Sequence, residues 1–139
     1  MIGCSFGGST ALFAQKLAEK IPLPNRGFKG SIAFYPNLMH IQKARPWRHS
    51  GSIKQPTLIL YGKEDQLESA DSYSKLLKSD EAKVLRVMGL DGATRKFDEI
   101  GPLRTKYHPA IGDFTKAFHE PALDKAIAEI NKFLALHFN

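Results

Sequence analysis

Cysteine and tryptophan are nearly absent, at one each in 139 residues, Cys4 and Trp47. A lone thiol excludes an internal disulfide framework and a cysteine-built zinc site, and it fits a reducing compartment, so a cytoplasmic setting is expected. No apolar run approaches the roughly 18 residues of a membrane span, so no membrane partner is expected. A secretory signal pattern is also missing, although a chain that opens inside a strand carries no information about targeting. H-E-x-x-H, P-loop and G-x-G-x-x-G patterns are all lacking, so neither a metal nor a cofactor is implied. Acidic excess is lacking too, since 20 Lys and Arg face 14 Asp and Glu for a formal charge of +6. The basic residues are scattered and become dense only at Lys43, Arg45 and Arg48 around Trp47. That pattern is too diffuse for a nucleic-acid groove, and no nucleic-acid partner is expected.

What is present is ordinary globular composition, 42% hydrophobic and 24% charged, enough for one domain or part of one over residues 1–139. At its very start stands Gly3-Cys4-Ser5-Phe6-Gly7, a G-x-S-x-G sequence. In that motif a strand turns sharply into a helix and holds the serine in a strained conformation that flanking glycines permit. Only Met1 and Ile2 precede it, so the chain is expected to begin inside its nucleophile-bearing strand, with the preceding strands missing. The elbow should lead into a helix, and Ser9–Lys20 has near-helical apolar spacing with no proline before Pro22.

Alternation of strands and helices follows. Gly30–Tyr35 is a short apolar strand closed by Pro36 and Asn37, and Leu38–Gln55 is a long loop of the kind that shapes substrate pockets. Pro56–Gly62 is a continuous apolar run, as in a parallel strand covered on both faces. Glu68–Lys78 is expected to be helical, Lys83–Met88 a strand, and Glu120–Phe138 a closing helix with Leu123, Ala126, Ile127, Ile130, Phe133, Leu134 and Phe138 on its apolar side. The implied class is α/β, a mostly parallel sheet flanked by helices.

Ser5 is the candidate nucleophile, and it needs a base to take its proton and an acid to orient that base. The backbone N–H of Phe6 would be one oxyanion-hole donor. Cys4 lies one position early and is expected to be packed. Asp65 sits just past the strongest strand, where catalytic groups of open α/β sheets gather, with Glu64 as its competitor.

These residues together resemble the C-terminal half of a dienelactone-hydrolase-like member of the α/β-hydrolase superfamily. The likeness rests on Gly3 to Ser9, on Ser31-Ile32-Ala33-Phe34-Tyr35-Pro36, on Leu60-Tyr61-Gly62-Lys63-Glu64-Asp65 and on Gly92-Ala93-Thr94. It implies a partial α/β-hydrolase fold lacking the first strands and the loop of the second oxyanion donor. It also implies hydrolysis of small carboxylic esters or lactones by Ser5 with Asp65 as acid. Where the family's segment has histidine, this chain has Arg95; a guanidinium cannot act as a general base, and its charge would instead stabilise an anion or pair with Asp65. The substitute base would be His108, or less well His119; His40 and His49 precede the acid and His137 is near the terminus. Two expectations therefore stand: a serine hydrolase, or a catalytically inactive remnant or interaction module. A half sheet would leave a strand edge open to self-association or to a partner covering the missing half.

Overall fold

A computed structural model describes residues 1–18, 28–38, 51–77 and 80–138. The long loop expected at Leu38–Gln55, with His40, His49, Trp47 and its basic neighbours, lies mostly outside the described residues. The elements are β1 (Ile2–Cys4), α1 (Phe6–Leu17), β2 (Ser31–Phe34), β3 (Thr57–Gly62), α2 (Ala70–Leu77), β4 (Leu85–Leu90), β5 (Arg104–His108), β6 (Gly112–Lys116) and α3 (Glu120–Phe138). The first four strands form one parallel sheet in the order β1-β2-β3-β4, aligned so that Ile2 pairs with Ile32, Ile32 with Leu58 and Leu58 with Arg86. A separate antiparallel pair, β5-β6, follows.

Every residue of β3 is buried, and so is every residue of β2. Successive strand side chains point to opposite faces, so both faces of the sheet are covered there. Leu58, Ile59 and Leu60 are fully buried, and removing such side chains from water contributes about 1.5–3 kcal/mol each. α1 packs on β1 and β2, and α3 on β3 and β4. Two aromatic groups complete the core. Phe34, Tyr35 and Phe97 meet edge to face or tilted, and Tyr61 stacks on Tyr73 at 4.0 Å, with the Tyr73 hydroxyl donating to the Pro36 carbonyl.

Three details differ from the sequence reading. α1 begins at Phe6, immediately after Ser5, because Gly7 and Gly8 are absorbed into its first turn. The buried stripe of α3 is Ala122, Ala126, Glu129 and Phe133, while Ile127, Leu134 and Phe138 are exposed. Small residues on the stripe let the helix approach the sheet closely, which turns the larger neighbours outward. The β5-β6 hairpin was not expected at all, since its strands, RTKYH and GDFTK, carry almost no apolar alternation.

Candidate active site

Ser5 lies in the turn between β1 and α1 with φ 53° and ψ −116°, a conformation that costs a non-glycine residue about 1–3 kcal/mol. Two bonds hold it there, the Ser5 N–H donating to the Phe34 carbonyl and the Ser9 N–H donating to the Ser5 carbonyl. The turn is tight enough that a side chain at Gly3 would collide with the Gly7 carbonyl. Phe6 is the first residue of α1, so its N–H has no acceptor within the helix and points out at the positive end of the helix dipole.

Asp65 follows β3 in a loop tied to the next strand's end, with Lys63 N–H donating to the Leu90 carbonyl and Glu64 N–H to the Ala93 carbonyl. A side chain at Gly62 would run into the Ala93 carbonyl, so glycine there lets the two loops close together. That contact places residues 93–95 beside the acid. Asp65 is 7% exposed and Arg95 2%. Arg95 Nη1 donates to Asp65 Oδ2 at 2.8 Å, and Nη2 donates to Ser5 Oγ at 2.9 Å. Asp65 Oδ1 accepts a further bond from the Leu67 N–H. Burial pushes the Asp65 carboxyl above the usual carboxylate range, and the Arg95 charge and the backbone donors pull it back. The guanidinium also lies 5.3 Å from the Tyr35 ring.

Ser5, Arg95 and Asp65 thus form one continuous chain of hydrogen bonds, arranged as serine, base and acid would be. The middle member is a donor on both sides. A guanidinium has no lone pair, so Arg95 binds the serine hydroxyl but cannot itself take its proton.

Both histidines weighed as the base are among the described residues. His108 ends β5, where its Nδ1 accepts the Ala110 N–H at 3.2 Å. It lies four residues, about 13 Å along a strand, from the Arg104 end of the hairpin, where Lys116 bridges to Arg95. His119 precedes α3, and its Nδ1 accepts the Ala122 N–H. Glu64 contacts the site only through its backbone.

Cys4 is exposed, not packed as expected, with Sγ 3.9 Å from Asp98 Oδ2. Desolvation and the Asp98 charge hold its thiol above the usual range. Asp98 also accepts the Tyr35 hydroxyl at 2.7 Å, so Tyr35 and Asp98 belong to the site's surroundings though neither is singled out by the sequence. Asp98 had a signal, as the last residue of the segment in which Arg95 replaces histidine. Among the described residues, no group of three or more His, Cys, Asp or Glu could hold a metal ion. No described helix is long and apolar enough to cross a membrane.

No protein-family model matches the chain, and no curated protein matches it. Solved structures do. A dienelactone-hydrolase-like promiscuous phosphotriesterase from metagenomic libraries superposes with a TM-score of 0.66 at 17% identity, over 99% of this chain and 52% of that one. A protein described as a dienelactone hydrolase from Klebsiella pneumoniae gives 0.63 at 18% identity, over 96% and 50%. A thermophilic esterase from the planctomycete Thermogutta terrifontis with propionate bound gives 0.62 at 16%, over 96% and 54%. The same esterase is known phosphorylated by paraoxon. The chain spans about half the length of each of these three. With its parallel sheet, its sharp turn at Ser5 and the Asp65 loop after β3, it has the fold of about half of a dienelactone-hydrolase-like α/β hydrolase.

Proposed function

We propose that this chain carries a serine-hydrolase-type site for small carboxylic esters or lactones, kept from turning over by Arg95. The observation behind it is the pair of bonds from Arg95 to Asp65 and to Ser5. In ester hydrolysis the serine oxygen bonds to the carbonyl carbon, the carbonyl electron pair moves onto oxygen, and the serine proton passes to a base. Phe6 N–H and the start of α1 suit the developing oxyanion, and Asp65 suits the orienting acid. The proton has nowhere to go. Loss of general-base assistance alone costs about 10²–10⁴ in rate, so binding outlasts catalysis at such a site. The exposed single thiol fits a reducing, cytosolic setting.

The strained backbone of Ser5 favours a second reading, in which Ser5 is a working nucleophile and another group, His108 foremost, is the base.

Fluorophosphonate labelling followed by intact mass separates the two, using the folded wild type, Ser5→Ala and Arg95→His. We expect no adduct on the wild type beyond that on Ser5→Ala, and a single adduct on Arg95→His, whose imidazole can take the proton. A wild-type adduct that disappears in Ser5→Ala would establish the second reading and make His108→Ala the next variant.

A further inference from the structure

Beside the Ser5–Arg95–Asp65 chain lies a cluster that the ester reading does not use. Segment 96–102 and the β5-β6 hairpin enclose an open cavity of about 50 Å³ lined by Lys96, Glu99, Arg104, Lys106 and Lys116. Hairpin register sets this charge in place. Arg104 stands directly opposite Lys116, and Lys106, two residues on along β5, shares their face. Like charges directly across an antiparallel pair are destabilising, so the arrangement opposes folding unless something offsets it.

The single carboxylate of the cavity is already shared. Glu99 pairs with Lys96, its i−3 neighbour, and Arg104 Nη1 lies 3.8 Å away. Lys106 and Lys116 have no carboxylate partner among the described residues. Lys116 is half-buried, with its ammonium 5.2 Å from the Phe114 ring. Desolvation and the charges of Lys96, Lys106 and Arg95 push that ammonium below its usual range, against Glu99 alone. Lys96, with a left-handed backbone at φ 64°, lines the same cavity.

We propose that this cradle binds a phosphoryl dianion, as inorganic phosphate or as the phosphate of a small phosphomonoester. Size and charge both select it. A water needs about 10–15 Å³ of such space, so the cavity has room for about three to five non-hydrogen atoms, the size of one phosphoryl group, with its open side leaving the rest of a small phosphomonoester in solvent. An excess of cations over carboxylates attracts a dianion more strongly than a carboxylate, and the two unpaired ammoniums supply charge-assisted donors. The site is independent of Ser5 chemistry.

The test is titration of the full chain with inorganic phosphate, glycerol 3-phosphate and acetate at matched ionic strength, followed by calorimetry or amide shifts. Saturable binding of phosphate or the phosphomonoester, with acetate far weaker, is expected, and the ratio of the first two tells which form the site prefers. Lys106→Gln and Lys116→Gln should each weaken phosphate by about tenfold, the weight of one charge-assisted hydrogen bond. Glu99→Gln should tighten it, an outcome no folding defect produces, and Ser5→Ala should bind like the wild type. The proposal falls if acetate binds as well as phosphate, or if the lysine variants lose nothing. It falls too if a phosphodiester oligonucleotide outcompetes phosphate with a steep salt slope, which would make the face a general polyanion surface.

Discussion

At the scale of single residues the molecule turns on Arg95. Its charge is buried against a buried carboxylate, and such a pair is worth little in itself but costly to break, about 3–5 kcal/mol when one partner is removed. Arg95→Met should therefore lower the unfolding free energy read from urea titration by that order, and adding Asp65→Asn should recover part of it. The pH dependence has a definite sign. The Asp65 carboxyl is already held above its usual range by burial, and removing Arg95 raises it further. A folded-state value above the unfolded one means that the folded protein binds more protons as pH falls. The stabilisation is full below the unfolded carboxylate pKa of about 3.9 and is lost as pH rises through the folded value. Arg95→Met should thus gain stability relative to Arg95→Met/Asp65→Asn when pH falls from neutrality toward about 5. Equal pH profiles for the two would mean that the carboxylate is hydrated in the variant and that the pair is not sealed from water.

At the scale of elements, the site depends on two loops at the carboxyl ends of β3 and β4 meeting over Gly62. Gly62→Ala would force its methyl against the Ala93 carbonyl, and the loop carrying Arg95 would have to move. Overpacking of this kind costs about 1–3 kcal/mol, visible in thermal or urea unfolding. Loss of stability without movement of the loop would leave the Arg95→His, Gly62→Ala double labelling like Arg95→His alone; movement of the loop should abolish labelling of the double. The elements themselves were largely legible in the sequence. β3 stood out because six buried residues in a row leave no polar face, and α3 because its 3.6-residue period runs unbroken for nineteen residues. The elbow was legible because its spacing encodes a backbone conformation, and Ser5 adopts it. Two things were not legible. The hairpin carries its pairing in backbone hydrogen bonds and cross-strand register, with Tyr107 and Phe114 as the only large apolar side chains of its two strands. The pairing of Arg95 with Asp65 was legible from charge, but the second bond, from Arg95 to Ser5, joins residues 90 apart in the chain, which spacing alone cannot reveal.

At the scale of the whole molecule, the open question is what covers the β1 end of the sheet. Among the described residues β1 lies at the end of the strand order, paired on one edge with β2, and Ile2 and Phe6 beside it are 65% and 80% exposed. An unpaired edge with apolar side chains is a template for another strand, and the structural neighbours are about twice as long as this chain. We expect concentration-dependent self-association through this edge, read as a rise in weight-average mass by sedimentation across the micromolar range. Salt tells edge pairing from ionic contact. The chain carries a formal charge of +6, so copies repel one another at low ionic strength. Screening weakens that repulsion, and association through an apolar edge should therefore strengthen as salt rises, whereas an ionic interface would weaken. Ile2→Lys places a charge on the edge and should hold the chain monomeric while β1 keeps its bonds to β2. A wild type that stays monomeric at every concentration and salt would show that the edge is protected in solution. The consequence reaches the site, because Phe6 N–H, the proposed oxyanion donor, follows β1 by two residues and would be shielded in an associated form. Labelling of Arg95→His should accordingly slow as concentration and salt rise, and Ile2→Lys should remove that dependence.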